Sequence, residues 1–208
     1  MLNTEITLLP QLMDLIEFRG QIAGNHNERM SKFVGLILNN AKNDGIYTDE
    51  LTDEYIKICT KYVIFHDVGK IAIPDSILNA QRRLTEAEYD LVNRHAEIGA
   101  AFLDDMLRGE DEMAVKIAKE IALYHHENWD GSGGPFHLSE YNIPLCARAT
   151  AIADVFDALT SPRCYKKTMD IDNAIIVLTD EAKTNFDPAL IEVFLKNKEE
   201  LKEIIRVK

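Results

Sequence analysis

Cysteine is scarce in this 208-residue chain, and its cysteines are not arranged to form a disulfide scaffold. There are three, Cys59, Cys146 and Cys164, an odd number with no CxxC spacing. This pattern argues against disulfide cross-links and favours a reducing compartment. The N-terminus also lacks the basic start and apolar core of a secretory signal. We therefore expect a cytoplasmic protein.

Long apolar runs and an excess of positive charge are also missing. The apolar runs are much shorter than a bilayer crossing requires, so we expect no transmembrane helix and no membrane contact. Lys and Arg number 23 against 35 Asp and Glu, a formal net charge of −12. General nucleic-acid binding is not expected, because phosphate backbones need a basic surface. An anionic ligand must instead be held by a few placed cations or by metal ions.

Strand-like alternation of apolar and polar residues is rare, and helical patterns fill most of the chain. The length suits one substantial domain, which we predict to be all-α. The segment from about 127 to 146 is irregular, and ordered segments of this length are more often functional than not. Helical periodicity predicts nine helices, at about 3–18, 26–43, 49–67, 84–93, 95–108, 112–126, 147–160, 171–182 and 188–205.

Four histidines continue the apolar faces of these predicted helices. They are His26, His66, His95 and His125, each three or four residues from apolar residues on its helix. Each one alone is explained by a buried histidine with a hydrogen-bond partner. Four desolvated imidazoles facing one core are costly, however, unless something inside pairs with them. A metal cluster is the simplest candidate, because neutral imidazole is a common ligand.

Carboxylates accompany these histidines. Asp67 directly follows His66, and Asp154 lies in an otherwise apolar helix, with Asp157 three residues later on the same face. Structural salt bridges are the alternative explanation, but few Lys or Arg residues stand at matching positions. Sets of His and Asp without a thiolate suit iron, manganese, nickel, cobalt or zinc in hydrolytic sites.

Four motifs, in this order, resemble those of the HD-GYP branch of the HD-domain metal-dependent phosphohydrolases. The resemblance covers about residues 15 to 195, which implies an N-terminal helical extension at 1–14 and a phosphohydrolase domain at 15–208. The motifs are AGNH at 23–26, HDVGKIAIPDSIL at 66–78, HHENWDGSGGP at 125–135, and AIADVFDALTS at 151–161 followed by RCYK at 163–166.

The resemblance implies a helical bundle with a buried metal centre that hydrolyses cyclic di-GMP through a metal-activated hydroxide. Two divalent ions are expected, with iron or manganese favoured over nickel, cobalt and zinc. Asp67 would bridge them and act in catalysis with Lys70, which would contact a phosphate. Arg163 and Lys166 would hold the phosphate or guanine end of the ligand. The ligands would be His26, His66, Asp67 and Asp154 for one ion, and Asp67, His95, His125 and His126 for the other.

Three further residues surround this predicted site. Trp129 is the only tryptophan in the chain, and it would either stack on a purine or anchor its loop. Glu127 follows the histidine pair and would orient a ligand imidazole. Asp157 would support the centre from the same helix face as Asp154.

The motifs depart from the HD-GYP pattern at three positions. Ile22 stands where trinuclear members carry a glutamate, which favours two metals over three. Gly134 replaces the tyrosine of GYP, and Cys164 replaces a proline. Two alternatives therefore stay open: hydrolysis of another nucleotide, including other cyclic dinucleotides, and a nucleotide-binding signalling module without turnover. Regulatory input would come from a separate sensory or signalling partner, or the chain is a fragment of a larger sensor protein.

Overall fold

The fold is a bundle of short helices, and no β-strand occurs among the residues that the structure describes. A computed structural model describes residues 8–20, 25–161, 168–182 and 184–206. Within these ranges the α-helices are α1 (Leu9–Arg19), α2 (His26–Asn43), α3 (Asp53–Tyr62), α4 (Asp75–Leu78), α5 (Glu86–Asn93), α6 (His95–Met106), α7 (Glu112–Tyr124), α8 (Leu145–Thr160), α9 (Ile171–Glu181), α10 (Pro188–Lys196) and α11 (Lys198–Ile205).

The core lies around α2 and α8, the two helices with the longest buried faces. Helix α2 packs against α3, α8 and α10, while α7 packs against α3, α6 and α8. Phe33, Phe156 and Phe194, one each from α2, α8 and α10, meet edge-on with ring centroids 5.0 to 6.1 Å apart. Such aromatic contacts add to the stabilisation from burial alone. The predicted all-α fold is confirmed.

Local sequence signals set several of the helix ends. Thr85 and Glu88 form a capping box at the start of α5, and Asp111 caps α7 by accepting hydrogen bonds from the next turn. Gly45 follows α2 with a φ of +74°, and Gly109 follows α6 with a φ of +96°. This left-handed backbone favours glycine, so both residues suit the turns that follow these helices.

The predicted helix at 49–67 is shorter in the structure and ends in tighter turns. Helix α3 stops at Tyr62, and 3₁₀ turns follow at Val63–Phe65 and Val68–Ala72. A 3₁₀ turn has three residues per turn, so its side chains at i and i+3 lie above one another. Lys70 consequently lies over Asp67, and its ammonium group donates a hydrogen bond to the Asp67 carboxylate.

Helix α1 belongs to the same core as the rest of the domain. The predicted boundary between residues 14 and 15 falls inside α1, where Met13 and Ile16 are buried against the core. The Arg19 guanidinium donates to the carbonyl oxygens of Ile71 at 2.8 Å and Ile73 at 2.5 Å. The C-terminal end of α1 is thus fixed to the turn that carries Lys70. Across the described ranges, no helix is both long and apolar enough to cross a membrane.

Candidate metal centre

Two groups of potential ligand atoms gather where α1, α2, α6 and α7 meet the turn after α3. In each group, the ligand atoms lie within 4.8 Å of one another. The distance from His66 Nε2 to Asp67 Oδ2 is 3.3 Å, so the groups adjoin. One group contains Asp67, His95, His125 and His126, and the other contains Glu17, His26 and His66.

Backbone carbonyls fix the orientation of three of the imidazoles. His66 Nδ1 lies 2.9 Å from the carbonyl oxygen of Val63, and His95 Nδ1 lies 2.6 Å from that of Val92. His125 Nδ1 lies 3.0 Å from the carbonyl oxygen of Ile121. A carbonyl only accepts hydrogen bonds, so each Nδ1 carries a proton, and each Nε2 presents a lone pair to the centre when its ring is neutral. This is the tautomer in which histidine binds metal through Nε2.

His26 is oriented by a carboxylate instead of a carbonyl. Asp157 is fully buried, and its Oδ2 lies 2.7 Å from His26 Nδ1. Arg29 Nε donates to its other oxygen at 2.5 Å, and the Ser161 hydroxyl donates at 3.0 Å. Burial would raise the pKa of Asp157, but its hydrogen bonds to His26 and Arg29 hold that pKa well below its usual value. An ionised Asp157 can therefore hold the His26 ring, in line with its predicted supporting role.

Three of the inward-facing atoms are buried without a hydrogen bond that would explain their burial. His95 Nε2 lies 3.2 Å from His126 Nε2 and 3.2 Å from Asp67 Oδ1. Asp67 Oδ1, His125 Nε2 and Glu17 Oε2 are buried with no hydrogen-bond partner. Lone pairs facing one another repel unless a cation lies between them. Ligand atoms about 2.1 Å from one ion are about 3 to 3.5 Å apart, so this arrangement of donors fits a divalent metal.

The electrostatics show why protons alone do not satisfy this site. Burial by itself lowers the pKa of His66, but Asp67 outweighs burial and raises that pKa to about 9. Burial would raise the pKa of Asp67, yet Lys70 and His66 hold it well below its usual range. Burial lowers the pKa of His125, and burial together with His125 lowers that of His126 well below its usual value. A proton on His66 offsets the charge of Asp67, whereas the neutral His125 and His126 imidazoles present nitrogen lone pairs that suit a divalent cation.

Asp154 lies close to this centre but outside both groups of ligand atoms. It is half-buried on α8, one turn before Asp157. Its charge contributes to raising the pKa of His66 and of Lys70, although burial of each of these groups acts in the opposite direction. Its role as a metal ligand therefore stays a prediction.

A cleft of about 720 Å³ opens beside the centre, within the usual size range of small-molecule sites. Lys70, His95 and His126 reach it from the metal side. Its other walls come from α5 and from the segment 127–138, which we call the glycine-rich loop. They are formed by Tyr89, Asp90, Val92, Asn93, Asn128, Ser132, Gly133, Gly134, Pro135 and His137.

Glu127 organises the glycine-rich loop. Its two carboxylate oxygens accept hydrogen bonds from the backbone N–H groups of Phe136 at 2.7 Å and Leu138 at 2.9 Å. We predicted that Glu127 orients a ligand imidazole, but in the structure this carboxylate bonds loop amides while helix carbonyls orient the adjacent rings. Gly133 is required here, because a Cβ atom would lie 2.2 Å from the backbone nitrogen of Asn128.

Replacing Glu127 with glutamine is expected to lower the free energy of unfolding by about 1.5 kcal/mol, because one loop N–H would face an amide group instead of a carboxylate oxygen. For a domain of this size the melting temperature should fall by about 3 to 6 °C. Thermal unfolding and hydrogen exchange at Phe136 and Leu138 measure the effect. Exposed Glu140, changed to glutamine, is the control. Equal exchange protection in the two variants would contradict this role.

Trp129 anchors the loop and does not line the cleft. Its ring meets Tyr141 edge-on at 5.2 Å, and the Arg148 guanidinium lies 6.0 Å from its centroid. Arg148 in turn pairs with buried Asp187 at 2.5 Å. Of the two roles predicted for Trp129, these contacts fit the anchor, and the purine-stacking role stays a prediction. Tyr89, with 60 % exposure at the cleft, is the aromatic residue that the sequence did not single out.

Other predictions concern residues outside the described ranges. Arg163, Lys166, Cys164 and Ile22 are among them, so their roles stay predictions. Glu17, in contrast, lies within the described ranges, but it was not predicted from the sequence as a site residue. It continues the buried face of α1 formed by Met13 and Ile16, which is the same signal that identified the histidines.

The chain is similar to several curated phosphodiesterases. A Vibrio cholerae protein named "Cyclic di-GMP phosphodiesterase" is 38 % identical over 194 residues, which are 93 % of this chain and 39 % of that protein. The "Cyclic di-GMP phosphodiesterase response regulator RpfG" of Xanthomonas campestris is 38 % identical, over 94 % of this chain and 49 % of its own length. The V. cholerae "3'3'-cGAMP-specific phosphodiesterase 2" is 36 % identical over 95 % of this chain and 36 % of its own length.

The chain therefore spans only about a third to a half of the length of these relatives. A solved structure of the V. cholerae cyclic GMP-AMP phosphodiesterase V-cGAP3 shares the fold, with a TM-score of 0.61 and 19 % identity, over 94 % of this chain and 50 % of that one. The sequence model of the HD domain matches residues 10–190. Because this match includes the histidines and aspartates of the metal centre, and nearly the whole chain, the protein belongs to the HD domain family.

Proposed function

We propose that this domain is a metal-dependent phosphodiesterase that hydrolyses cyclic di-GMP to the linear dinucleotide or GMP. The observation that carries the proposal is the set of unpaired Nε2 and carboxylate atoms around Asp67, next to a cleft of about 720 Å³. The printed names of the relatives support a cyclic dinucleotide as the substrate class. A separate sensory or signalling partner remains part of the proposal.

The proposed centre holds two divalent ions, with iron or manganese favoured. When bound, such ions lower the pKa of water enough to supply hydroxide near neutral pH. Asp67 suits a bridging position, because its two oxygens face different histidines: Oδ2 faces His66, and Oδ1 faces His95. The proposed ligands are His26, His66, Asp67 and Asp154 for one ion, and Asp67, His95, His125 and His126 for the other.

Lys70 would stabilise negative charge on the phosphate. Burial acts to lower its pKa, but Asp67 and Glu17 raise it, so the ammonium group stays charged. Its side chain is 21 % exposed and lines the cleft, where a phosphate oxygen can reach it. Arg163 and Lys166 remain proposed contacts to the phosphate or guanine end.

The walls of the cleft leave the choice of bases open. Tyr89 offers an exposed ring on which a purine can stack. A Cβ atom at Gly134 would meet only His137 Cε1, at 3.9 Å, so the loop has free space at this position. Because a relative at 36 % identity is named as specific for 3'3'-cGAMP, this nucleotide is the second candidate substrate.

Hydrolysis by the full 208-residue chain tests the proposal. The protein is loaded with Mn²⁺ or Fe²⁺ without oxygen and incubated with cyclic di-GMP or 3'3'-cGAMP, and the products are separated by chromatography. We expect cleavage of cyclic di-GMP that a chelator abolishes. A higher kcat/KM for 3'3'-cGAMP would overturn the choice of substrate. Binding of either nucleotide without metal-dependent cleavage would show a signalling module instead of an enzyme.

A further inference from the structure

We propose that Glu17 is a ligand of the metal ion held by His26 and His66, an inference that rests on the metal centre of the proposed function. Glu17 is only 5 % exposed. One of its carboxylate oxygens lies within 4.8 Å of ligand nitrogens of both histidines, which themselves have their Nε2 atoms 3.4 Å apart. A carboxylate and two imidazole nitrogens are a common ligand set for divalent metals in hydrolytic sites.

One oxygen of the Glu17 carboxylate lacks a hydrogen bond that would explain its burial. Its Oε2 atom is buried without a hydrogen-bond partner. An unpaired buried carboxylate is costly, so such groups are normally paired with a cation or coordinate a metal. The ligand atoms grouped with it belong to the imidazoles of His26 and His66, and His66 coordinates through Nε2, because Nδ1 of the same ring donates to the carbonyl of Val63. A metal ion satisfies the carboxylate and the imidazoles together.

The contacts of α1 hold Glu17 in this position. Two residues later, Arg19 Nη1 donates to the carbonyl oxygens of Lys70 at 3.2 Å and Ile71 at 2.8 Å. Three residues earlier, Asp14 accepts a hydrogen bond at 2.9 Å from Asn27, the residue after His26. Contacts on both sides of Glu17 therefore link α1 to the segments that carry the histidines. A ligand placed by fixed neighbours loses little conformational entropy when the metal binds.

This assignment gives α1 a direct connection to the metal centre. If Glu17 binds the ion, the metal contributes to holding α1 against the bundle, because a ligand that binds only the docked state stabilises that state. By the same linkage, displacing α1 weakens metal binding. Asp154 would then complete the set from α8.

The test compares metal binding in the full wild-type chain and in Glu17→Gln, an isosteric change that removes the charge. Mn²⁺ titration with elemental analysis should show two ions in the wild type. In the variant we expect one site to weaken at least about tenfold, while the other is retained. Hydrogen exchange gives a second measurement: Mn²⁺ should slow exchange in α1 of the wild type, but not in α1 of Glu17→Gln.

Asp14→Asn separates ligation from simple loosening of α1, because it alters a contact of this helix that lies outside the ligand groups. This control should keep both Mn²⁺ affinities within about threefold and should keep the metal-dependent protection of α1. If Glu17→Gln binds two ions with wild-type affinities, Glu17 is not a ligand, and the proposed function stands. If the wild type itself binds no Mn²⁺ or Fe²⁺, the metal centre is wrong, and this proposal falls with it.

Discussion

Replacing Asp67 with asparagine is expected to lower kcat/KM for the cyclic dinucleotide about a thousandfold or more, which corresponds to about 4 kcal/mol of transition-state stabilisation. Both oxygens of this carboxylate make contacts in the centre. Oδ2 accepts the hydrogen bond from Lys70, and Oδ1 lies 3.2 Å from His95 Nε2 and 3.7 Å from His125 Nε2. In asparagine, an NH₂ group replaces one of these oxygens, and the negative charge that would hold the two proposed cations close together is lost.

Metal content and turnover of the Asp67→Asn chain check this prediction. Elemental analysis should find less than one ion per chain, and the far-ultraviolet circular dichroism should stay that of the wild type. The matched control is Asp49→Asn, which removes the same charge from an exposed position outside the ligand groups. It should keep kcat/KM within about twofold. An Asp67→Asn chain that binds two ions and turns over within tenfold of wild type would contradict the bridging role.

The helical pattern predicted most of the centre because burial on a helix follows from spacing within one element. His26, His95 and His125 needed only an apolar neighbour three or four residues away. Glu17 satisfies the same rule on α1, four residues after buried Met13, whereas the HD-GYP pattern places its glutamate at position 22. A buried carboxylate on an apolar stripe therefore gives the same kind of signal as a buried histidine.

Contacts between segments far apart in the chain could not be predicted from residue spacing within one helix. Trp129 contacts Tyr141 and Arg148, and Arg148 pairs with Asp187 at the start of α10. The orientation of the Trp129 ring therefore depends on residues far along the chain. Similarly, the choice between an α-helix and 3₁₀ turns after Tyr62 is settled by the packing of the turn against α6. The periodicity of the stretch itself is compatible with both.

The packing of the Val68–Ala72 turn against α6 depends on Gly69. A Cβ atom at Gly69 would lie 1.9 Å from the carbonyl oxygen of His95 and 2.6 Å from the backbone nitrogen of Gly99. The atoms in the way belong to the backbone of α6, so a side-chain rotation cannot relieve the overlap. We expect Gly69→Ala to lower the free energy of unfolding by about 3 kcal/mol or more, at the upper end of the cost of overpacking. The melting temperature should fall by at least about 6 °C.

Two other glycines provide a graded comparison in chelator-treated protein, where lost metal cannot account for the difference. At Gly99 a Cβ atom would lie 3.1 Å from Val68 Cγ1 and from the Gly69 nitrogen, whereas at Gly20 it would meet only ordinary contacts of 3.4 Å and longer. Urea unfolding should therefore rank the alanine variants in the order of crowding, with Gly69 most affected, Gly99 intermediate, and Gly20 within about 1 kcal/mol of wild type. If Gly69→Ala unfolds at the same urea concentration as Gly20→Ala, the turn can move away from α6 without a loss of stability. Asp67 and His95 would then not be held together by this backbone contact.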